Sequence, residues 1–397
     1  MQKYVLITGG QMGNKGAQAM TFITVDEVSK RYPECKIVLF SNADYVSLVG
    51  ERSNYRFEIL PYPSVRTHLS LYKSILKRKI KVTNYISLIK RYKVLFRNAA
   101  VIIDISGYAL GSNWGNGKVL SYMRRIKLAQ RRHIPIYLMP QSFGPFDFKG
   151  RKASLTNRIL SQVLPYASII MAREFEGKEL LETKYHLKNV VKTPDLVLQN
   201  KAVNLQSIYI NTPDIYSVDI AKDSIAIIPN MKNYVYGRGD QINALYVKII
   251  QKLLDCGKHV YLIYHSMEDL KICRKIKSDF FQDSVMVIVL EHEFSYIEFE
   301  ATVKKFRYVI ASRYHSIVLA YRCAIPAIVL GWATKYQELL QEFSQQQFGF
   351  DVRREMNDMS VIHAIDYMNS AYTIESEKIA EKMADIQKGN VYDFIHI

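Results

Sequence analysis

The segment that most constrains the fold is residues 306–340, where two apolar runs flank a charged turn and an apolar helix. Residues 308–311 are predicted to be a buried strand, residues 312–315 the turn at its carboxyl end, and residues 316–323 the start of a helix. A second apolar strand is predicted at residues 326–330. This succession predicts an α/β domain, in which ligands bind beyond the carboxyl ends of the strands.

Two side chains in that turn, Arg313 and His315, have chemistry that suits an acidic ligand. A guanidinium binds a carboxylate or phosphate through two hydrogen bonds, and a histidine can exchange a proton near neutral pH. Free backbone N–H groups at the start of the following helix also favour anions. The alternative is structural, with Arg313 paired to a carboxylate of the protein and His315 capping the helix.

The charge of the chain also indicates an anionic partner. Its 397 residues include 54 Lys and Arg against 37 Asp and Glu, a formal net charge of +17. Much of the excess lies in residues 73–97, where basic residues are interleaved with Ile, Leu and Val. Such a segment predicts either a surface that contacts anionic lipid or an ordinary solvated helix face. No nucleic-acid-binding module accompanies it, so nucleic acid is not an expected partner.

The remaining composition predicts a cytoplasmic protein of more than one domain. The chain is longer than a usual single domain. Its four cysteines lack the spacing of a zinc or redox motif, which predicts free thiols and no metal site. No signal-peptide core opens the sequence, and no run approaches the roughly 18 apolar residues that span a bilayer. The basic segment allows a peripheral position at the inner face of the plasma membrane.

The sequence A-S-R-Y-H-S, followed by A-I-P-A-I-V-L-G and by Lys335 before an amphipathic helix, resembles the carboxyl-terminal signature of the polysaccharide pyruvyl transferase family. The resemblance continues in several blocks across most of the chain. Members of that family move the enolpyruvyl unit of phosphoenolpyruvate onto a sugar. The resemblance implies that Arg313 and His315 are catalytic and bind this donor, and that Lys335 is a further phosphate contact.

A glycine-rich turn after the first predicted strand, residues 4–8, also resembles the family. It contains Gly9, Gly10, Asn14 and Gly16. Their spacing matches neither the dinucleotide fingerprint nor the Walker pattern, so a nucleotide is poorly supported. The resemblance implies that the turn faces the sugar acceptor, and the alternative is a tight turn without a ligand.

A second loop of small residues follows the predicted strand at residues 101–105. It contains Gly107, Asn113 and Trp114. An indole face can cover the apolar face of a sugar, so this loop is a candidate acceptor platform that resembles a glycine-bearing loop of the family. The alternative is that Trp114 packs beneath the loop.

Two more strand ends carry candidate ligand contacts. The strand predicted at residues 136–139 leads to a P-Q-S-F-G-P turn that resembles a turn of the family at the domain cleft. Gln141 or Ser142 is expected to bond the ligand there, and Gly144 to supply backbone freedom. A purely structural turn is the alternative. The strand ending at residue 172 is followed by Arg173, and the resemblance implies that this arginine helps to hold phosphoenolpyruvate.

His265 follows another predicted strand and precedes Glu268 and Asp269. A histidine with a nearby acid suits proton transfer or a phosphate contact, and a helix-capping cluster is the alternative. Asp195, in a Thr-Pro-Asp turn, is expected to be a structural cap.

We expect two doubly wound, Rossmann-like α/β domains that face each other across a GT-B-like cleft. The predicted divisions are an N-terminal domain on the acceptor side at 1–200, a linker at 201–222, a C-terminal domain on the phosphoenolpyruvate side at 223–372, and a C-terminal helix that packs back on the first domain at 373–397.

The resemblance implies transfer of the enolpyruvyl unit onto two hydroxyls of one sugar, which forms a cyclic ketal in bacterial surface polysaccharide synthesis. It implies no cofactor beyond the donor and an acceptor linked to a lipid diphosphate. One alternative is a nucleotide-sugar glycosyltransferase, although the E-x7-E spacing common in retaining enzymes does not occur among residues 291–300. The other alternative is a non-catalytic scaffold that binds polyanions or membranes.

Overall fold

The protein contains two parallel sheets, each covered by helices. The computed structural model describes residues 2–63, 82–237, 239–353 and 358–397. The first sheet consists of β1 (Tyr4–Thr8), β2 (Lys36–Phe40), β3 (Glu58–Leu60), β4 (Ala99–Asp104), β5 (Tyr108–Leu110), β6 (Ile136–Phe143), β7 (Ile169–Ala172) and β8 (Val190–Lys192).

In the described ranges, eight helices accompany the first sheet or follow it directly. They are α1 (Lys15–Arg31), α2 (Asn42–Ser47), α3 (Val82–Arg97), α4 (Gly115–Arg131), α5 (Ala153–Val163), α6 (Phe175–Tyr185), α7 (Leu196–Gln199) and α8 (Leu205–Ile208). Helix α1 begins where the side chain of Asn14 accepts a hydrogen bond from the Ala17 N–H, and its last turn carries Lys30 and Arg31, which complement the helix dipole.

The second sheet has six strands. They are β9 (Ile225–Ile228), β10 (Val260–Ile263), β11 (Val287–Leu290), β12 (Val309–Ala311), β13 (Ala327–Gly331) and β14 (Gly349–Asp351). The helices of this half are α9 (Met231–Tyr236), α10 (Gly239–Asp255), α11 (Met267–Phe280), α12 (Tyr296–Val303), α13 (Tyr314–Arg322), α14 (Thr334–Glu342) and α15 (Asp358–Ile386).

Both sheets have the same doubly wound strand order. The first runs β3-β2-β1-β4-β6-β7-β8 with β5 paired to β6, and the second runs β11-β10-β9-β12-β13-β14. Neighbouring strands in both sheets pair in parallel. The order reverses between β1 and β4 and again between β9 and β12, so the loops after these strands diverge and leave a crevice in each sheet.

Helix α1 joins the cores of the two halves. Every residue of α1 from Lys15 to Val28 is buried, as expected for a helix covered on all sides. Phe22 in α1 packs edge-on against Tyr209 and Tyr296, with ring centroids 5.6 and 5.5 Å apart. Burying one such side chain contributes about 1.5–3 kcal/mol, so these contacts hold the halves together.

The chain after α15 returns to α1. The side-chain amide of Asn390 donates to Glu27 at 3.0 Å, and the Tyr392 hydroxyl lies 2.6 Å from the Thr24 hydroxyl. The Tyr32 hydroxyl donates to the backbone carbonyl of Ile395. The chain therefore crosses between the halves a second time.

Three boundaries differ from those predicted. Strand β6 continues past Pro140 to Phe143, because its pairing with β7 skips over the proline through an irregular register. Gln141 and Ser142 consequently lie in a strand rather than in a turn. Helix α13 begins at Tyr314, so His315 lies in its first turn. The linker prediction missed the short helix α8.

The basic segment is described only in part. Residues 73–81 lie outside the described residues, while the rest of the segment, residues 82–97, forms α3. One of its cations is engaged internally, since Arg91 binds Glu58. Among the helices in the described parts of the chain, none combines the length and hydropathy that a bilayer-crossing segment requires.

Candidate active site

The turn after β12 is held in place by buried hydrogen bonds to its backbone. The carbonyl of Ser312 accepts from the Asn230 side chain at 2.8 Å and from the Tyr336 hydroxyl at 3.0 Å. Arg313 follows in an extended conformation as the N-cap of α13. The sequence thus places Arg313 and His315 at the crevice of the second sheet.

Arg313 is bound by the first turn of α11. Its Nε and Nη2 donate to the two carboxylate oxygens of Asp269 at 2.9 and 2.7 Å, and Nη2 also contacts Ser266 and Glu268. Arg313 is therefore paired with a carboxylate of the protein, which was the structural alternative to ligand binding. Its Nη1 has no hydrogen-bond partner among the described residues, so one donor group of this fixed cation remains for a ligand.

His315 is buried between the two halves. A Cβ atom at Gly16 would lie 2.3 Å from Cγ of His315, so the imidazole packs directly on the backbone of α1. Its Nε2 is buried, has no hydrogen bond to any described residue, and lies 3.8 Å from Oδ2 of Asp195. Burial lowers the pKa of His315 to about 4, with Arg173 and Lys335 acting in the same direction and Asp195 against it. The ring is neutral at pH 7.

Arg173 lies behind the crevice, and each of its three guanidinium nitrogens donates to the protein. Nη1 donates to Asp195 at 2.8 Å, Nε donates to Glu174 at 3.0 Å, and Nη2 donates to Ser142 at 2.8 Å. The guanidinium lies 4.2 Å from the ring centroid of Tyr314. The structure thus places Arg173 in contact with the carboxylate beside His315, and not on the cavity wall where direct donor contact was predicted.

Lys335 projects into a cage of aromatic rings from both halves. Its Nζ lies 5.3 to 5.7 Å from the ring centroids of Tyr108, Tyr314, Trp332 and Tyr336. No hydrogen bond or ion pair joins it to a carboxylate among the described residues. Desolvation, reinforced by Arg173, lowers the pKa of Lys335 to about 7, and Glu174 opposes that shift.

One cavity of about 260 Å³ brings these groups together, and we call it the cation cavity. It lies between the two sheets. Its lining residues are Asn14, Tyr108, Asn113, Trp114, Asn230, Lys232, Tyr236, His265, Arg313, Tyr314, His315, Trp332, Lys335 and Tyr336. Among the described lining residues, three are cations and none is a carboxylate, so the cavity suits an anion of small size.

The predicted acceptor residues fall into two groups. Asn14, Asn113 and Trp114 line the cation cavity, and Trp114 remains 39% exposed. Gly9, Gly10 and Gly107 instead serve backbone packing. Gly9 and Gly107 have φ values of +85° and +66°. A Cβ at Gly10 would lie 2.4 Å from the Thr21 hydroxyl.

The three residues predicted around the end of β6 differ in position, since one is in the core and two line a cavity. Gln141 is fully buried, and its amide donates to Tyr122 at 3.4 Å. The Ser142 hydroxyl donates to Glu174 at 2.7 Å. Ser142 and Gly144 line a second cavity, which adjoins the cation cavity.

His265 lines the cation cavity but is committed to the fold. Its Nδ1 lies 2.8 Å from the Ser316 hydroxyl, and its backbone carbonyl accepts from Lys15 at 3.1 Å. Burial holds the pKa of His265 well below its usual range, and Lys15 and Arg313 add to that effect. A permanently neutral ring suits positioning better than proton transfer at neutral pH.

The sequence did not reveal the aromatic cage or the second role of Asp195. Asp195 caps α7, as predicted, by accepting from the Val197 N–H at 2.9 Å, and it also binds Arg173 and approaches His315. The signal available was its position after a strand end of the first sheet. Within the described residues, no group of three or more His, Cys, Asp or Glu side chains could hold a metal ion.

The fold defines a class of protein. The structure is similar to the UDP-GlcNAc 2-epimerase from Methanocaldococcus jannaschii (TM-score 0.59, 14% identity, 93% of each chain). It is also similar to the UDP-GlcNAc 2-epimerase from Neisseria meningitidis bound to UDP-GlcNAc (TM-score 0.56, 14% identity, 97% of this chain and 96% of that chain) and to a glycosyltransferase from Rickettsia africae ESF-5 (TM-score 0.54, 10% identity, 99% and 98%). At such identities the likeness concerns the fold, which is of the GT-B type with two Rossmann-like domains.

A sequence match narrows the class to a family. The family described as polysaccharide pyruvyl transferase matches residues 14–334, a range that includes Arg313 and His315 and ends one residue before Lys335. The chain therefore belongs to the polysaccharide pyruvyl transferase family. No curated protein matches the chain.

Proposed function

We propose that the protein transfers the enolpyruvyl unit of phosphoenolpyruvate onto two hydroxyls of one sugar, with a cyclic ketal and free phosphate as products. The observation that carries this proposal is the cation cavity, which combines Lys232, Arg313 and Lys335 with a neutral histidine and has no carboxylate among its described lining residues. The donor has two anionic ends, which the cations can bind, and one carbon that must be protonated, which the histidine can serve.

The two buried cations would divide the donor's negative charge between them. Arg313 is fixed by Asp269, with Nη1 still available, and Lys335 has no carboxylate partner among the described residues. Each charge-assisted hydrogen bond of this kind contributes about 1.5–3 kcal/mol. Lys232 is exposed at the cavity wall and would contribute less.

His315 would deliver the proton that starts the reaction. Burial lowers the pKa of its imidazole to about 4, and an anionic donor beside it would raise that pKa and let the imidazole take up a proton. Transfer of that proton to the methylene carbon C3 makes C2 electrophilic. One sugar hydroxyl then bonds to C2, phosphate leaves, and the second hydroxyl closes the ring. Positioned proton transfer contributes roughly 100- to 10,000-fold to a rate.

Arg173 would act through Asp195. Since Arg173 binds the Asp195 carboxylate at 2.8 Å and that carboxylate lies 3.8 Å from Nε2 of His315, the arginine sets the charge and the position of the group that faces the imidazole. Direct contact between Arg173 and the donor remains a prediction, and the protein contacts of its three guanidinium nitrogens favour this indirect role.

The acceptor would be a saccharide carried on a lipid diphosphate, made in surface polysaccharide synthesis. The net charge of +17 and the basic helix α3 support a peripheral position on the anionic inner face of the plasma membrane. In this proposal the chain's own cations neutralise the donor, and phosphoenolpyruvate is a substrate rather than a cofactor.

Phosphate release and product mass test the proposal together. Purified protein is incubated with phosphoenolpyruvate and a panel of lipid-linked sugars, and we expect phosphate release that depends on both substrates and a product carrying one pyruvate ketal. Binding of a nucleoside diphosphate without any response to phosphoenolpyruvate would instead support the glycosyltransferase alternative.

A further inference from the structure

A second cavity of about 360 Å³ adjoins the cation cavity, and we call it the glutamate cavity. The two share five lining residues, Tyr108, Asn113, Tyr236, Trp332 and Lys335. The glutamate cavity also includes Ser142, Gly144 and Glu174 from the first half. A molecule in it would thus lie beside Lys335 and next to a ligand in the cation cavity.

Glu174 lines this cavity, and one of its two carboxylate oxygens has no hydrogen-bond partner among the described residues. Its Oε1 accepts from the Ser142 hydroxyl at 2.7 Å and from Nε of Arg173 at 3.0 Å. The residue is only 5% exposed, and its Oε2 is buried and has no hydrogen-bond partner among the described residues. A buried carboxylate oxygen without a donor is costly, so a ligand that donates a hydrogen bond there is favoured.

The walls of the glutamate cavity suit a sugar. Tyr236 and Trp332 stack with ring centroids 4.1 Å apart, and aromatic faces of this kind can cover the apolar face of a sugar ring. The indole Nε1 of Trp332 is buried without a partner in the described part of the chain and can donate to a sugar oxygen. A single saccharide has both groups: one hydroxyl can donate its O–H to Glu174, and the oxygen of another can accept from the Trp332 N–H.

We infer that the glutamate cavity binds the acceptor sugar and that Oε2 of Glu174 takes the proton of the hydroxyl that attacks C2. This inference rests on the proposed function. The O–H bond breaks as the proton passes to Glu174, the hydroxyl oxygen bonds to C2, and the C2–C3 double-bond pair takes the proton that His315 supplies. The C2–O bond to phosphate then breaks, the second hydroxyl oxygen bonds to C2, and that hydroxyl's proton leaves with phosphate. The proton on Glu174 passes to solvent, and His315 takes up a proton from solvent.

The position of Oε2 is set before the sugar arrives. Two donors hold Oε1, so the carboxylate cannot turn without breaking both bonds. A base that needs no reorganisation at the moment of reaction is the arrangement that speeds proton removal most. Glu174 is thus a catalytic residue in this inference, while Ser142 and Arg173 position it.

The test compares Glu174→Gln with Glu179→Gln, an exposed glutamate one turn further along α6. Glutamine can keep an oxygen toward Ser142 and Arg173, but it replaces Oε2 with an amide that cannot take a proton. With p-nitrophenyl glycosides of glucose, galactose, mannose and N-acetylmannosamine as probes, we expect Glu174→Gln to lower turnover by about 100-fold or more. Calorimetry at pH 6, below the Lys335 pKa of about 7, should show phosphoenolpyruvate binding within about twofold of wild type. Glu179→Gln should match wild type in both measurements.

The outcomes separate this inference from the proposed function. Wild-type protein that neither binds phosphoenolpyruvate nor releases phosphate with any probe overturns the proposed function and this inference with it. Wild-type activity that Glu174→Gln retains overturns the inference alone, as does a Glu174→Gln protein that loses donor binding together with turnover. If Glu174→Gln does not fold, Thr334→Tyr decides, because it fills the glutamate cavity from an exposed position. Turnover preserved in that variant overturns the inference.

Discussion

The two sides of the cleft differ in what they contribute to the cation cavity. The second half supplies its cations, Lys232, Arg313 and Lys335, together with His315. The first half supplies uncharged groups, namely Asn14, Tyr108, Asn113 and Trp114. Two sheets with the same strand order thus contribute different side chains to the cation cavity: charged ones from the second half and uncharged ones from the first.

This difference indicates a division of labour between the domains. In the cation cavity, the charged groups of the second half suit the donor, and the uncharged groups of the first half suit packing and contacts with a sugar. Helix α1 serves the first task, since Gly16 lets its backbone touch the imidazole of His315. The imidazole of His315 in the second half therefore requires a glycine at position 16 in the first half.

The largest expected effect comes from removing the proton donor of the charged side. We expect His315→Gln to lower turnover by about 100- to 10,000-fold, because the chemical step loses its acid. Steady-state phosphate release measures this effect. The matched variant His363→Gln, on the exposed face of α15, should retain full turnover. Equal activity in the two variants would remove His315 from the mechanism.

A smaller effect is expected when a cation is removed from the charged side. Lys335→Met should weaken phosphoenolpyruvate binding by about 10- to 100-fold, which corresponds to the loss of one charge-assisted hydrogen bond. Titration calorimetry measures the dissociation constant. Lys118→Met removes a cation near Trp114 in the first half, outside the described lining of the cation cavity, and should leave donor affinity unchanged. The division between the two sides is wrong if both variants weaken donor binding equally.

The pH dependence of donor binding should follow Lys335. Its pKa of about 7 means that the amine is protonated below that pH and neutral above it. Donor affinity should therefore be highest below pH 7 and fall by up to about tenfold per pH unit as the pH rises beyond it. Lys335→Arg provides the control, because arginine stays charged and should remove this part of the pH dependence.

The smallest effect is expected at the contact between the two sides. Gly16→Ala would place a Cβ 2.3 Å from Cγ of His315, so the imidazole must shift. We expect the free energy of unfolding to fall by about 1–3 kcal/mol, as for other overpacked positions, together with a loss of turnover. Chemical denaturation and phosphate release measure the two effects. Gly13→Ala is matched, since a Cβ there would contact nothing within 4 Å.

The sequence predicted the parts of the site that depend on local pattern. Apolar runs followed by polar turns identified the strand ends of both sheets, because a buried parallel strand and its carboxyl-terminal loop are contiguous in the chain. Arg313 and His315 belong to such a turn, and the structure places both at the cation cavity. The two-domain α/β fold of the GT-B type was predicted on the same grounds and with the help of the family resemblance, and it is confirmed.

The features that the sequence did not predict depend on residues that are distant in the chain. The cage around Lys335 combines Tyr108 of the first half with Tyr314 and Trp332 of the second, and no spacing connects them. The approach of Asp195 to His315 also spans both halves. Gln141 was placed in a turn because Pro140 normally ends a strand, whereas pairing with β7 carries β6 past it.

The second crossing of the chain restricts how the cleft can open. The tail after α15 is attached to α1 at Thr24 and Glu27, while Gly16 near the other end of the same helix touches the cavity. At 1.5 Å per residue, Gly16 and Glu27 are about 16 Å apart along the helix axis. The tail thus adds a second connection between the halves at one end of α1, and we expect any widening of the cleft to occur as a rotation near that end.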